Sequence, residues 1–195
     1  AAKGAQRLLV ASSSPFTRGK PGKRFRVCQS LARAASLPVL YVNPTGVQDI
    51  GKTVYTFDGG SGAYDAAGRV TEGPRPFTEG ELTLDVPVGD AAFAADAAAP
   101  TGDGIADLAQ ALLHGGGVFM RRLGIRRVVI GISGGIDSAV SAALYGRLLD
   151  PADLLLVSLP GPFTSATTRA LAHQVARNLG CRFAEIPIDG GVALT

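Results

Sequence analysis

The chain is predicted to be an α/β protein in two parts, the second built on a doubly wound parallel sheet. Three observations predict this. Residues 105–195 alternate helix-like and strand-like segments. A glycine-rich turn, Gly131-Ile-Ser-Gly-Gly-Ile-Asp-Ser138, sits where a strand pattern gives way to a helix pattern. Between them, residues 87–104 change character: Pro87, Gly89-Asp90 and an alanine-rich run ending Pro100-Thr-Gly-Asp-Gly104 read as a linker with a helical turn inside it. The linker separates residues 1–86 from residues 105–195, and no internal repeat relates the two halves.

In the second half, Ile105–Leu113 has helical spacing and Val128–Ile132 is an apolar, buried strand. From Asp137 to Leu149, Val140, Ala143, Leu144 and Leu148 fall on one helical face, and Asp150-Pro151 stops the helix. Leu154–Leu159 is a second strand. Ser165 to Leu179 repeats Leu171, Val175 and Leu179 four residues apart, with Gly180 as the C-terminal stop. Phe183–Ile188 is a third strand. Such alternation implies parallel pairing through right-handed crossovers, which places binding loops at the carboxyl ends of the strands. The first half opens with a strand (Leu8–Ala11), a serine-rich loop, a helix from Lys23 to Ser36 and a strand at Val39–Asn43. Short strands and tight turns follow: Tyr55–Phe57, a turn at Asp58-Gly-Gly60, Ala63-Tyr64, Arg69–Thr71 and Glu81–Val86.

A strand that ends in Ser-Gly-Gly and restarts as a helix suits an anion. Glycine lets backbone N–H groups approach a ligand closely, and the helix N-terminus adds its dipole. The loop is not a Walker A loop, because no Gly-Lys-Ser/Thr follows the required spacer, nor is it Gly-x-Gly-x-x-Gly. Bulk properties exclude other classes. The net charge of +3 is mild, and the basic residues are scattered without interleaved aromatics, so nucleic acid is not an expected partner. Two cysteines, Cys28 and Cys181, make no disulfide scaffold and fit a reducing compartment. No apolar run approaches the ~18 residues that span a bilayer, and Ala1–Val10 is too short for a signal peptide, so a cytoplasmic location without membrane attachment is expected.

Residues 131–138 resemble the Ser-Gly-Gly-x-Asp-Ser pyrophosphate loop of the N-type ATP pyrophosphatases. Together with the alanine-rich helix, Leu159-Pro-Gly-Pro-Phe-Thr-Ser165 and Asn178-Leu-Gly180, they resemble the start of an NAD synthetase domain. Ser13-Ser-Pro-Phe-Thr-Arg-Gly-Lys20, Leu37-Pro-Val-Leu-Tyr-Val-Asn43, Gln48-Asp49 and Phe57-Asp-Gly-Gly-Ser61 resemble the C-terminal half of a nitrilase-type glutaminase domain. In this order the two are similar to the glutamine-dependent NAD synthetases.

That resemblance implies the C-terminal half of a nitrilase-like α/β sandwich over 1–86 and the N-terminal part of a synthetase domain over 105–195. It implies that a glutaminase Cys-Glu-Lys triad, lying upstream of this internal piece, releases ammonia from glutamine. ATP then adenylates deamido-NAD, and ammonia displaces AMP to give NAD. Gly131, Ile132, Ser133, Gly134, Gly135, Ile136, Asp137 and Ser138 are the implied ATP-binding residues, with Asp137 as the ligand of a magnesium ion. Ser14 and Lys20 correspond to positions that bind glutamine. A homo-oligomer is implied for the full-length enzyme. Where family members carry a basic residue and then acidic ones after Leu-Pro, this chain has Gly161, Pro162, Ala166 and Ala170. Two other readings stay open at this point: another pyrophosphate-loop ligase, such as a GMP synthetase, and a non-catalytic remnant of truncated domains.

Other residues read more plainly. Cys28, beside Val27 and Leu31 on a helix, is expected to be a small buried hydrophobe, and Cys181 likewise. His114 reads as a helix-end or loop histidine and His173 as a solvent-facing one. No His/Cys/carboxylate cluster has zinc-site spacing.

Overall fold

A computed structural model describes residues 4–87, 92–94, 100 and 104–192. The chain divides into two compact units, Ala1–Gly115 and Gly116–Thr195.

The first unit begins β1 (Leu8–Ala11), α1 (Lys20–Ala35) and β2 (Val39–Val42), with β1 and β2 parallel, so α1 is a crossover. A hairpin of β3 (Thr45–Asp49) and β4 (Val54–Asp58) forms its own two-stranded sheet. Antiparallel β5 (Gly62–Tyr64) and β6 (Val70–Glu72) then complete a four-stranded sheet in the order β1-β2-β5-β6. Helix α1 starts three residues earlier than its apolar spacing predicts, because Gly19 (φ 76°) turns the chain and Pro21 is pre-set for a first helical turn. Its inner face, Phe25, Cys28 and Ala32, packs on Val39, Tyr41, Tyr64 and Val70, with Leu8 and Val10 at the margin. Phe25 meets Tyr64 edge-on at 5.9 Å. The turn joining β5 to β6 is clamped by buried Asp65, whose carboxylate accepts from the Ala67 and Arg69 amides at 3.0 and 2.9 Å and from the Arg69 guanidinium at 2.8 Å.

Helix α2 (Ile105–Leu123) is ten residues longer than the predicted Ile105–Leu113. The stretch Gly115-Gly-Gly117 looked like its end, and it made His114 a terminal residue. Instead the glycines lie within the helix, with His114 before them. A Cβ on Gly115 would stand 2.4 Å from Thr56 Oγ1, and one on Gly116 3.2 Å from Leu148. Close approach, not termination, is what these glycines permit.

In the second unit β7 (Val128–Gly131), α3 (Ile136–Tyr145), β8 (Leu154–Ser158), α4 (Ala166–Leu179) and β9 (Arg182–Glu185) form two strand–helix–strand crossovers on a parallel sheet ordered β7-β8-β9. The core is Ile132, Ala142, Leu154, Leu156, Ala172 and Ala176. Small residues on α3 and α4 let both helices lie close to the sheet, and each fully buried Leu contributes ~1.5–3 kcal/mol. α4 is well defined at both ends: Ser165 caps the Thr168 amide at 3.1 Å, and Gly180 (φ 64°) closes the C-terminus as predicted.

Some predicted elements differ. α3 ends at Tyr145 rather than Leu149, where Gly146 leads into turns that carry the Leu148 and Leu149 amides back to the Tyr145 carbonyl. β9 ends before Ile186, since Pro187 cannot donate to a ladder, although the Ile186 and Ile188 amides still bond to Ser158 and Pro160. β3 was not predicted; its Thr-Gly-Val-Gln-Asp sequence lacks apolar alternation, and pairing with β4 makes it a strand. Glu81–Val86, predicted as a strand, is not one. Its alternating Leu82, Leu84 and Val86 line a cavity with Leu9, Leu40 and Val42, and Leu82 stays exposed, so the apolar alternation here marks a cavity wall and not a ladder. The predicted turn inside the linker falls largely on residues 88–91, 95–99 and 101–103, outside the described residues.

Candidate functional site

In the second unit, β7 delivers the glycine-rich turn at its carboxyl end. Ile132 anchors the turn: it is 2% exposed, and its amide donates to the Val157 carbonyl at 2.9 Å, so the loop leaves the sheet from a fixed point. Gly134 adopts φ 82°, which carries the backbone around toward α3, and Gly135 is the extended N-cap residue. Ser133 and Ser138 close the loop on itself. The Ser133 amide donates to Ser138 Oγ at 3.2 Å, the two hydroxyls meet at 3.1 Å, and the Gly135 amide donates to Ser133 Oγ at 3.2 Å. Ser138 Oγ also donates to the Gly135 carbonyl at 3.1 Å. Asp137 is exposed in the first turn of α3. The eight predicted residues thus form one continuous strand–turn–helix at the N-terminal end of a ten-residue helix.

Beside the turn lies a cleft of about 300 Å³, lined by Ile132 and Ser133 and by residues beyond the carboxyl end of β8. Five hydroxyl residues face it: Ser133, Ser158, Thr164, Ser165 and Thr168. No lining residue is charged. Gly161, Pro162, Ala166 and Ala170 do not line it, so its polar groups are hydroxyls and backbone. Four of these hydroxyl residues were missed by the sequence reading, although Thr164-Ser165 and Thr167-Thr168 at a helix start are a visible signal. Nearby, Glu185 at the end of β9 receives Arg169 of α4, whose guanidinium holds the Glu185 carboxyl below the usual carboxylate range. His173, expected to face solvent, is half-exposed, lies 3.6 Å from Glu185 and stacks on Phe183.

In the first unit Ser14 and Lys20 line one cavity of about 680 Å³ with Arg24, Cys28 and Tyr41. The Lys20 ammonium donates to the Pro15 carbonyl at 2.8 Å, so it is folded back over the loop that carries Ser14. That loop is fixed by Asn43, at the end of β2, through bonds to both the Ser14 amide and the Ser14 carbonyl. One turn of α1 beyond Lys20, Arg24 makes a forked pair with Asp58 of β4, at 3.2 and 2.5 Å. Both side chains are buried, at 8% and 2% exposure, and the guanidinium stands 5.7 Å from the Tyr41 ring centre. Burial alone would lower the Arg24 pKa, but the hydrogen bond and charge of Asp58 raise it overall. The Asp58-Gly-Gly60 turn predicted from sequence is present, with Gly59 and Gly60 at φ 70° and 68°, and its aspartate is also half of this buried pair. Cys28 is buried as expected, and burial pushes its thiol up, so it is held as the neutral thiol.

Among the described residues no group of three or more His, Cys, Asp or Glu is placed to hold a metal. No described helix is long and apolar enough to cross a membrane.

Residues 117–195 match the NAD synthase family model. The whole chain is 36% identical to a glutamine-dependent NAD(+) synthetase of Rhodobacter capsulatus, covering 97% of this chain and 34% of that protein. It is 31% identical to the same enzyme of Synechocystis, over 95% of this chain and 33% of the relative. A solved glutamine-dependent NAD+ synthetase from Acinetobacter baumannii, in complex with ADP, superposes with a TM-score of 0.84 at 27% identity, over 97% of this chain and 35% of that one. The chain therefore spans about a third of the length of the relatives it matches.

Proposed function

We propose that this chain is a piece of a glutamine-dependent NAD(+) synthetase, and that it supplies the ATP-binding loop and part of the glutamine site of an ATP-dependent amidation. ATP and deamido-NAD would give an adenylated carboxylate and pyrophosphate, and ammonia from glutamine would then displace AMP to form NAD. In this reading residues 1–86 are the C-terminal part of a nitrilase-like glutaminase domain, residues 87–104 a linker and residues 105–195 the N-terminal part of the synthetase domain. The enzyme works in the cytoplasm as a homo-oligomer.

The observation that carries the reading is the turn at residues 131–138, a Ser-Gly-Gly-Ile-Asp-Ser loop joining a parallel strand to a helix beside a hydroxyl-lined cleft. Backbone N–H groups of the turn and the first turn of α3 would accept the charge that builds on the departing pyrophosphate. The Ser133 and Ser138 hydroxyls, now bonded to each other, can rotate to donate to phosphate oxygens, while Ile132 keeps the loop's root still. Asp137 is the one carboxylate in the loop, and a magnesium ion is commonly held by one or two carboxylates together with substrate phosphates, so the donor set fits. Bound there, the metal would neutralise phosphate charge. Ser14 and Lys20 would hold glutamine, the ammonium through the substrate carboxylate.

The test is calorimetric titration of the full-length enzyme with ATP and magnesium, for the wild type and Asp137→Ala. Removing the only loop carboxylate should weaken magnesium-dependent binding by about tenfold or more. Equal affinity in both proteins, with or without magnesium, would sink the assignment of Asp137.

A further inference from the structure

Asn43 is a buried polar residue, 5% exposed, to which neither the loop chemistry nor the glutamine site assigns a part. Its side chain uses three bonds. Oδ1 accepts from the Ser14 amide at 2.7 Å, and Nδ2 donates to the Ser14 carbonyl at 3.0 Å and to the Gly59 carbonyl at 2.8 Å. Its main chain is held in turn, because the Asn43 amide donates to Ser61 Oγ at 3.0 Å and Ser61 Oγ donates back to the Asn43 carbonyl at 3.3 Å. One side-chain amide therefore grips both faces of a single peptide position in the loop and ties that position to the turn after β4.

The three bonds need two donors and an acceptor on one planar group, which the carboxamide of asparagine or glutamine supplies, and asparagine is the shorter of the two, suited to a strand end that is itself hydrogen-bonded. The bonds go to the backbone of Ser14, leaving the Ser14 hydroxyl for a ligand. Lys20 leans on the next residue of the loop, Pro15, so displacing Ser14 displaces the support of Lys20 as well.

We propose that Asn43 is a positioning residue for glutamine recognition: it sets the backbone of the Ser14 loop so that the Ser14 hydroxyl and the Lys20 ammonium present a fixed pair to the substrate. This rests on the reading of Ser14 and Lys20 as glutamine contacts.

Asn43→Asp keeps the shape and the acceptor but turns an oxygen toward the Ser14 and Gly59 carbonyls in place of Nδ2. NAD formation by the full-length enzyme is measured with glutamine and, separately, with ammonium chloride as nitrogen donor. The expected result is a KM for glutamine raised about tenfold, with the ammonium-supported rate unchanged, since a lost bond to a buried group is worth about that factor. Ser61→Ala, which loosens the main chain of Asn43 from one step away, should give a smaller rise of the same kind, and it serves if Asn43→Asp does not fold. An unchanged KM in the folded variants overturns the proposal, as does a parallel fall of both rates with falling thermal stability. Ser14→Ala and Lys20→Ala in the same assay separate the two layers. If they raise the KM while Asn43→Asp does not, the positioning role alone fails; if they leave it unchanged, the glutamine site itself is misplaced and the role falls with it.

Discussion

Replacing Gly134 by alanine tests whether the glycine-rich loop at 131–138 is held by the structure or merely tolerated by it. Gly134 has φ 82°, where an L-residue is strained by ~1–2 kcal/mol. A Cβ there would lie 2.2 Å from the Thr168 carbonyl oxygen and 3.0 Å from both the Thr168 carbonyl carbon and Cγ2. An ordinary contact needs well over 3 Å, so either the loop or the start of α4 must retreat by about 1 Å. α4 is the worse candidate to move. Its first turn is capped by Ser165, and Ala172 and Ala176, at 1% and 4% exposure, lie in the core. The loop should therefore give way, opening the Ser133–Ser138 hydroxyl contacts, at a cost of ~1–3 kcal/mol for overpacking in addition to the strain. A total of ~2–5 kcal/mol is expected, and if the loop binds ATP as proposed, Mg-ATP affinity should fall with it. Gly131→Ala is the stability control: nothing lies within 4 Å of its Cβ and its φ is not positive, so melting should be nearly unchanged. Thermal melting and ATP calorimetry on the three proteins decide it. A Gly134→Ala protein that melts and binds ATP like the wild type would show that the turn is looser than its geometry indicates.

Two further perturbations address the first unit. Arg24→Met strands Asp58 as an unpaired carboxylate at 2% exposure, and should cost ~3–5 kcal/mol in a urea titration; Arg24→Met with Asp58→Leu should recover much of it. No loss in the single variant would mean that water reaches Asp58. Burial also raises the pKa of Cys28 and of Tyr64 above their unfolded values, and a group raised in the folded state gives stability that is full below its unfolded pKa and lost as pH rises. Stability should accordingly be level up to about pH 8.5 and decline above it, first through the thiol and then through the phenol. Cys28→Ala should flatten the first part of that decline, and a wild-type urea midpoint that stays constant to about pH 10 would refute the assignment.

The second unit was legible because its signals are local. Apolar runs bounded by turn residues mark β7 and β8, four-residue spacing marks α4, and a Ser-Gly-Gly turn between strand and helix needs no distant partner to be recognised. The errors fall where a partner decides. Gly115-Gly-Gly117 reads as a helix stop until Thr56 and Leu148 are seen to require the missing side chains. Thr45–Asp49 becomes a strand only because β4 lies beside it, and Glu81–Val86 fails to become one because its leucines find an apolar cavity while its backbone finds no ladder.

The candidate sites divide along the same line. The residues proposed to touch a ligand are those whose type ligand chemistry selects in the sequence: glycine and serine for phosphate, a hard carboxylate for a cation, an ammonium for a carboxylate. Residues that hold those contacts in place could not be named that way, because their partners lie far away in sequence. Asn43 reaches 29 positions back to Ser14, and Arg24 reaches 34 positions forward to Asp58. Neither pairing has a spacing rule, yet each is a buried polar group whose isolation would cost several kcal/mol. Burial turns that cost into positional information. A polar side chain that must be satisfied at one geometry fixes the loop that satisfies it, so the supports of a site can be found by asking which buried polar groups spend their bonds on the backbone of the residues expected to bind.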